Sequence, residues 1–152
     1  EHPLFERAFA LFRERYAEHS ADKTKPYEGI LPLLRELKER GYALAVVSNK
    51  VDAAVKELVP RYFGSLLDVA VGEREGMPRK PAPDGVFAAL EELGKGAETA
   101  LFIGDSEVDA QTAMNAGLPL VAVLWGFRDE ACLRAEGATR FARHPRDILA
   151  FL

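Results

Sequence analysis

Leu101-Phe102-Ile103-Gly104-Asp105-Ser106-Glu107-Val108-Asp109 is an apolar run broken abruptly by a glycine and an aspartate. Three consecutive apolar residues without alternation predict a strand, Leu101–Ile103, buried on both faces as in a parallel sheet. Gly104 lets the chain turn and brings the Asp105 carboxylate to the carboxyl end of that strand, the edge where open α/β sheets bind ligands. A helix follows, compatible with Asp109-Ala110, Thr112-Ala113-Met114 and Ala116 and stopped by Gly117 and Pro119. Ser106 and Asp109 have capping-box spacing, which alone explains both as helix-start residues. It does not explain Asp105, because a carboxylate beside a buried strand end is costly unless a cation or hydrogen-bond donors compensate it. These residues leave a metal site and a plain helix cap both open.

The rest of the chain repeats the strand-then-helix unit. Phe5, Phe9 and Phe12, with Ala8 and Tyr16, fall on one face of an amphipathic helix that runs into a polar loop, Ser20 to Pro26. A second helix turns Ile30, Leu33, Leu34 and Leu37 inward and ends at Gly41. Ala43 to Val47 reads as a buried strand that gives way to Ser48-Asn49-Lys50 before a helix over Asp52 to Leu58, with a short separate helix at Tyr62 and Phe63. Ser48 and Asn49 at a helix start suit an anion, or equally an ordinary N-cap. A strand over Leu67–Val71 is broken by Gly72, and Glu73 to Pro83 is a loop in which Pro81 and Pro83 brace Lys80. Such a lysine is either held for a purpose or merely solvated. Asp84 caps a helix that ends at Gly94, Leu120–Leu124 is a further buried strand, and Asp129 opens a helix to about Glu136. Thr139–Ala142 reads as a short last strand and Pro145–Leu152 as a closing helix. This alternation predicts a three-layer, Rossmann-like α/β domain around a parallel sheet.

Composition excludes several classes of function. The 20 basic and 24 acidic residues are interspersed, so no basic stripe exists for nucleic acid and no polybasic patch for a membrane surface. The longest apolar run, Leu118 to Phe127, is interrupted by Pro119 and Gly126 and is too short to span a bilayer. The single cysteine, Cys132, excludes an internal disulfide and suits a reducing, cytoplasmic setting.

Ser48-Asn49, Lys80 and Gly104-Asp105-Ser106 with Asp109 stand in an order that resembles the second, third and fourth motifs of the haloacid dehalogenase superfamily. The similarity is closest to its phosphoglycolate phosphatase-like branch, through V-S-N-K, R-K-P-A-P-D, G-D-S-E-V-D followed by A-M-N-A-G, and W-G-F-R. The resemblance implies that Ser48, Asn49 and Lys80 bind the phosphoryl group, that Asp105 binds Mg²⁺, and that Ser106 and Asp109 support the metal from behind. It implies a phosphatase acting on a small phosphorylated metabolite through an aspartyl-phosphate. A phosphosugar mutase, or a non-catalytic domain that binds a phosphorylated ligand or a partner, is the alternative on the same scaffold.

One part of the family pattern is missing. The superfamily attacks phosphorus with the first aspartate of an Asp-x-Asp motif at the end of a central strand, and the only aspartate before Ser48 is Asp22, in a polar loop. With no initiator Met before Glu1-His2-Pro3, the expectation is that the first strand and most of a helical cap lie outside this sequence. Residues 1–22 would then be the last helix of that cap and 23–152 a core without its first strand. The family's strand order puts the absent strand between Ala43–Val47 and Leu101–Ile103. Those two strands should not pair, and the space between them should be filled by an N-terminal segment or a partner chain.

Overall fold

A computed structural model describes residues 2–19 and 24–152, without the side chains of residues 13 and 16–18. In chain order the elements are α1 (Phe5–His19), α2 (Ile30–Glu39), β1 (Ala45–Val51), α3 (Asp52–Phe63), β2 (Val69–Glu73), α4 (Asp84–Leu93), β3 (Phe102–Gly104), α5 (Glu107–Asn115), β4 (Leu120–Val123), α6 (Glu130–Ala135) and β5 (Phe141–Ala142). A closing 3₁₀ turn, Pro145–Phe151, takes the place of the expected α-helix. The loop around Asp22, with the boundary expected there, lies outside the described residues.

All strand pairs are parallel, but they form two separate sheets: β1 with β2, and β3 with β4 with β5. As the strand order implied by the resemblance requires, β1 and β3 do not pair. Strand alternation assigns the faces. In β4, Val121 and Val123 turn to α2, where they pack with Leu33, Leu37 and Ile148, while Ala122 turns the other way to Leu133 and Ala138. Helix α4 spans both sheets from that second face, because the cluster around its Val86 takes in Val47 of β1 and Phe102 of β3. On the first face, Leu44 at the foot of β1 joins α2 and β4 in one cluster. Helices on the two faces thus hold two half-sheets side by side.

The space between them is a cavity of about 480 Å³. Ala45, Val46 and Val47 line one wall, Leu101, Phe102 and Ile103 the other, and Lys80 and Asp109 stand among its lining where those strands end. Ile103, expected to be buried on both faces, is 41 % exposed because it borders this slot.

Several boundaries differ from expectation for local reasons. β1 does not stop at Val47: its pairing slips between Val47 and Val51, and Val51 pairs with Glu73, so Ser48-Asn49-Lys50 lie within an irregular strand instead of at a helix start. β2 likewise continues through Gly72, whose missing side chain leaves room for the main chain of Asp52. α3 runs through Pro60 to Phe63 as one helix, at the loss of the one ladder hydrogen bond that the Pro60 nitrogen cannot donate. Pro83, not Asp84, is the residue before α4, and Asp84 is the first helical residue, where its charge suits the positive end of the helix. The stops at Gly94 and Gly117 are as expected, both with left-handed φ. α1 is the expected helix, yet Phe5, Phe9 and Phe12 on its apolar face are all exposed.

Candidate functional site

Gly104 ends β3 and has to be glycine: a Cβ there would collide with the Cβ and carboxyl group of Asp109. The close approach lets the turn wrap around Asp109. Its Oδ2 accepts from the Ser106 hydroxyl at 2.7 Å and from the Asp105 N–H at 3.2 Å, and its Oδ1 accepts from Lys80 Nζ at 2.7 Å. Ser106 is also the N-cap of α5, its hydroxyl oxygen accepting from the Asp109 N–H at 3.3 Å. Capping and site assembly are therefore served by the same two residues.

Lys80 and Asp109 are both largely enclosed, their side chains 15 % and 10 % exposed. Burial pushes the Asp109 carboxyl up. The Lys80 charge, with hydrogen bonds from Lys80, Ser106 and the Asp105 amide, outweighs it, so the group titrates below the ordinary aspartate range. A depressed folded-state pKa stabilises the fold above the unfolded value, and the stabilisation is lost as pH falls through the folded one. Asp109→Asn should therefore lower stability at neutral pH by about 3 kcal/mol, since it strands a largely enclosed lysine. Melting curves of the two proteins should draw together only as the pH falls below about 4, the ordinary aspartate value.

Asp105 has the opposite balance. Burial raises its pKa, the Phe127 N–H opposes at 3.0 Å from Oδ2, and the neighbouring Asp109 charge raises it further. Phe127 belongs to the loop after β4, which comes so close that a Cβ on Gly126 would collide with the Asp105 carboxyl group. Arg128 ties the same loop to the start of α5 through a two-pronged pair with Glu107, at 2.6 and 2.7 Å. A half-buried carboxylate whose charge is disfavoured as it stands suits a hard cation such as Mg²⁺. No group of three or more acidic, His or Cys ligands occurs among the described residues. Asp105 thus fits as one ligand of a set that needs further oxygens from water, substrate or a neighbouring segment.

Asn49 binds Lys80 and not open space. Its Nδ2 donates to the Lys80 carbonyl at 2.9 Å, and its Oδ1 accepts from the Lys80 N–H at 2.8 Å. Ser48, one residue earlier, accepts from the Lys50 N–H at 3.1 Å. Direct hydrogen bonds thus join Asn49, Lys80, Asp109, Ser106 and Asp105 into one chain, while the bond of the Ser48 hydroxyl is local to its own strand. Sequence reasoning missed the roles of Phe127, Gly126 and Asn115, the last of which donates to the Pro81 carbonyl at 2.9 Å. The only hint of them was that A-M-N-A-G and W-G-F-R belong to the family-like pattern.

Residues 2–123 match the family model described as haloacid dehalogenase-like hydrolase. A phosphoglycolate phosphatase from Aquifex aeolicus is 36 % identical over 118 residues, covering 77 % of this chain and 55 % of that one. An N-acetylmuramic acid 6-phosphate phosphatase from Pseudomonas aeruginosa is 31 % identical, covering 93 % of this chain and 63 % of that one. The crystal structure of a candidate phosphoglycolate phosphatase from Lactobacillus delbrueckii subsp. bulgaricus superposes with a TM-score of 0.91 at 41 % identity, over 94 % of this chain and 60 % of that one. The chain spans about half the length of the curated phosphoglycolate phosphatases it matches. From the match over residues 2–123, the chain belongs to the haloacid dehalogenase-like hydrolases.

Proposed function

We propose that this chain supplies the phosphate- and metal-binding part of a Mg²⁺-dependent phosphatase for a small phosphorylated metabolite, phosphoglycolate or a close analogue. The observation that carries this reading is the slot between β1 and β3, an apolar channel that leads to Lys80, Asp109 and the neighbouring Asp105. Two strand edges left unpaired beside it expose rows of amides and carbonyls, which is unfavourable in water and invites an added strand. A parallel strand with apolar side chains fits that lining, and its carboxyl end would arrive beside Lys80. An aspartate there would be the nucleophile, which none of the described residues supplies. α1, an amphipathic helix with Phe5, Phe9 and Phe12 exposed, fits the last helix of a helical cap.

In the reaction so formed, the aspartate carboxylate attacks phosphorus, the bond to the substrate's alcohol oxygen breaks, and that oxygen takes a proton. Water then cleaves the aspartyl-phosphate to release inorganic phosphate. Lys80 holds a positive charge against the phosphoryl oxygens, and Asp109 fixes where that charge sits. Bound Mg²⁺ would gather negative charge from the transferring group, with Asp105 as its ligand from this half of the site.

The test is phosphate release by the full-length protein with Mg²⁺ and phosphoglycolate, N-acetylmuramic acid 6-phosphate or glucose 1-phosphate. Turnover of a small phosphomonoester supports the proposal. Isomerised sugar phosphate without release identifies a mutase, and phosphate binding without turnover identifies a binding module. Residues 1–152 alone are expected to release no phosphate even with Mg²⁺, and hydrolysis of a generic aryl phosphate by a pure sample of that fragment would refute the assignment of the nucleophile.

A further inference from the structure

We infer that Asn49 and Asn115 are positioning residues: between them they grip the main chain on either side of the Lys80 side chain and set where its amine lies. Lysine ends in a point charge on a flexible four-carbon stem, so a fixed amine needs a fixed main chain beneath it. Lys80 lies in the long loop between β2 and α4, which has no regular structure to supply one.

Asn49 supplies it from one side. Its carbonyl oxygen and its amide nitrogen both bond to the main chain of Lys80, 31 residues away, in a two-point bracket that resists both sliding and rotation. Asn115, the last residue of α5, holds the Pro81 carbonyl from the other side. The two asparagines stand on opposite half-sheets, Asn49 on β1 and Asn115 on the helix after β3. Their hold on residues 80 and 81, with the Lys80–Asp109 pair, ties the half-sheets together at the site end of the slot. The resemblance to the family gave Asn49 a direct bond to phosphate and gave Asn115 no role. Since the Asn49 acceptor and one of its N–H bonds go to Lys80, Asn49 acts through the lysine.

The test uses the full-length protein and reads the lysine directly. Acetic anhydride at limiting concentration labels amines, and peptide mass spectrometry gives a rate for each lysine. Losing two hydrogen bonds in Asn49→Ala should raise the Lys80 rate about tenfold, and losing one in Asn115→Ala about threefold. Lys56, paired with Asp52 on α3, is the internal reference and should not change. Should Asn49→Ala fail to fold, Asn49→Asp keeps the acceptor for the Lys80 N–H, loses the donor to its carbonyl, and should give an intermediate rise. The kinetic arm rests on the phosphatase reading: Asn49→Ala should lower kcat about tenfold with little change in KM. An unchanged Lys80 labelling rate in a folded Asn49 variant overturns the inference. So does a raised KM at unchanged kcat, which would place Asn49 on the substrate. If the wild type shows no turnover, the phosphatase reading fails and the labelling rates still decide this one.

Discussion

Lys80→Ala is expected to lower kcat of the full-length enzyme by about 10²–10³, the cost of removing one preorganised group aimed at transition-state charge. The expectation comes from geometry. The amine is 2.7 Å from Asp109, largely enclosed, and at the edge of the slot into which the nucleophilic strand is proposed to run. Its loss also leaves Asp109 without its counter-ion, beside an Asp105 whose charge is already disfavoured. Lys80→Arg should not restore activity, because a planar guanidinium cannot reproduce a compact point charge on the same stem. Lys50→Ala, at the far end of the irregular β1 segment, is expected to have a much smaller effect. Steady-state kinetics of the three variants test this, and a larger loss from Lys50→Ala would mean that the wrong lysine has been placed at phosphorus.

What the sequence disclosed, and what it concealed, follows from the range of each interaction. Gly104-Asp105 could be read because an apolar run ending in glycine and a carboxylate has few explanations, and the Ser106 cap because its partner is three residues away. The unpaired β1 and β3 could be foreseen only through the family's strand order, since nothing in either strand states its neighbour. Ser48 and Asn49 read as the start of a helix because polarity usually ends a strand. A register slip in the pairing with β2, invisible in β1 itself, carries them on to Val51. The bracket on Lys80 was hidden because its partners are main-chain atoms 31 residues distant, and any residue offers those. The Phe127 amide on Asp105 was hidden for the same reason.

Asp105→Asn is expected to reduce Mg²⁺-dependent turnover about a thousandfold, because the metal loses the anionic ligand that this half of the site provides, worth several kcal/mol. The same substitution should raise the melting temperature of the metal-free protein at pH 7. Burial first, and then the charge of Asp109, hold the folded-state pKa of Asp105 up despite the Phe127 amide, so above that pKa the ionised group costs stability. Asparagine removes the charge and keeps an oxygen for the Phe127 N–H. A variant that is more stable and inactive separates loss of chemistry from loss of fold, the trade expected where a site holds an unfavourable charge for function. Near-normal turnover of Asp105→Asn would remove the metal from Asp105, and a lowered melting temperature would contradict the electrostatic account.

The central claim is that the site is completed by a strand that enters the slot and presents an aspartate to phosphorus next to Lys80. Rapid acid quench of the full-length protein with phosphoglycolate and Mg²⁺, followed by peptide mapping, tests it most directly. The expected result is one transient phosphoryl group, labile to hydroxylamine, on an aspartate at the carboxyl end of an apolar segment, absent from Lys80→Ala and formed without labelling of Asp105 or Asp109. A phosphoryl group found on Asp105 or Asp109, or substrate turnover with no phosphorylated aspartate at any time, would contradict it.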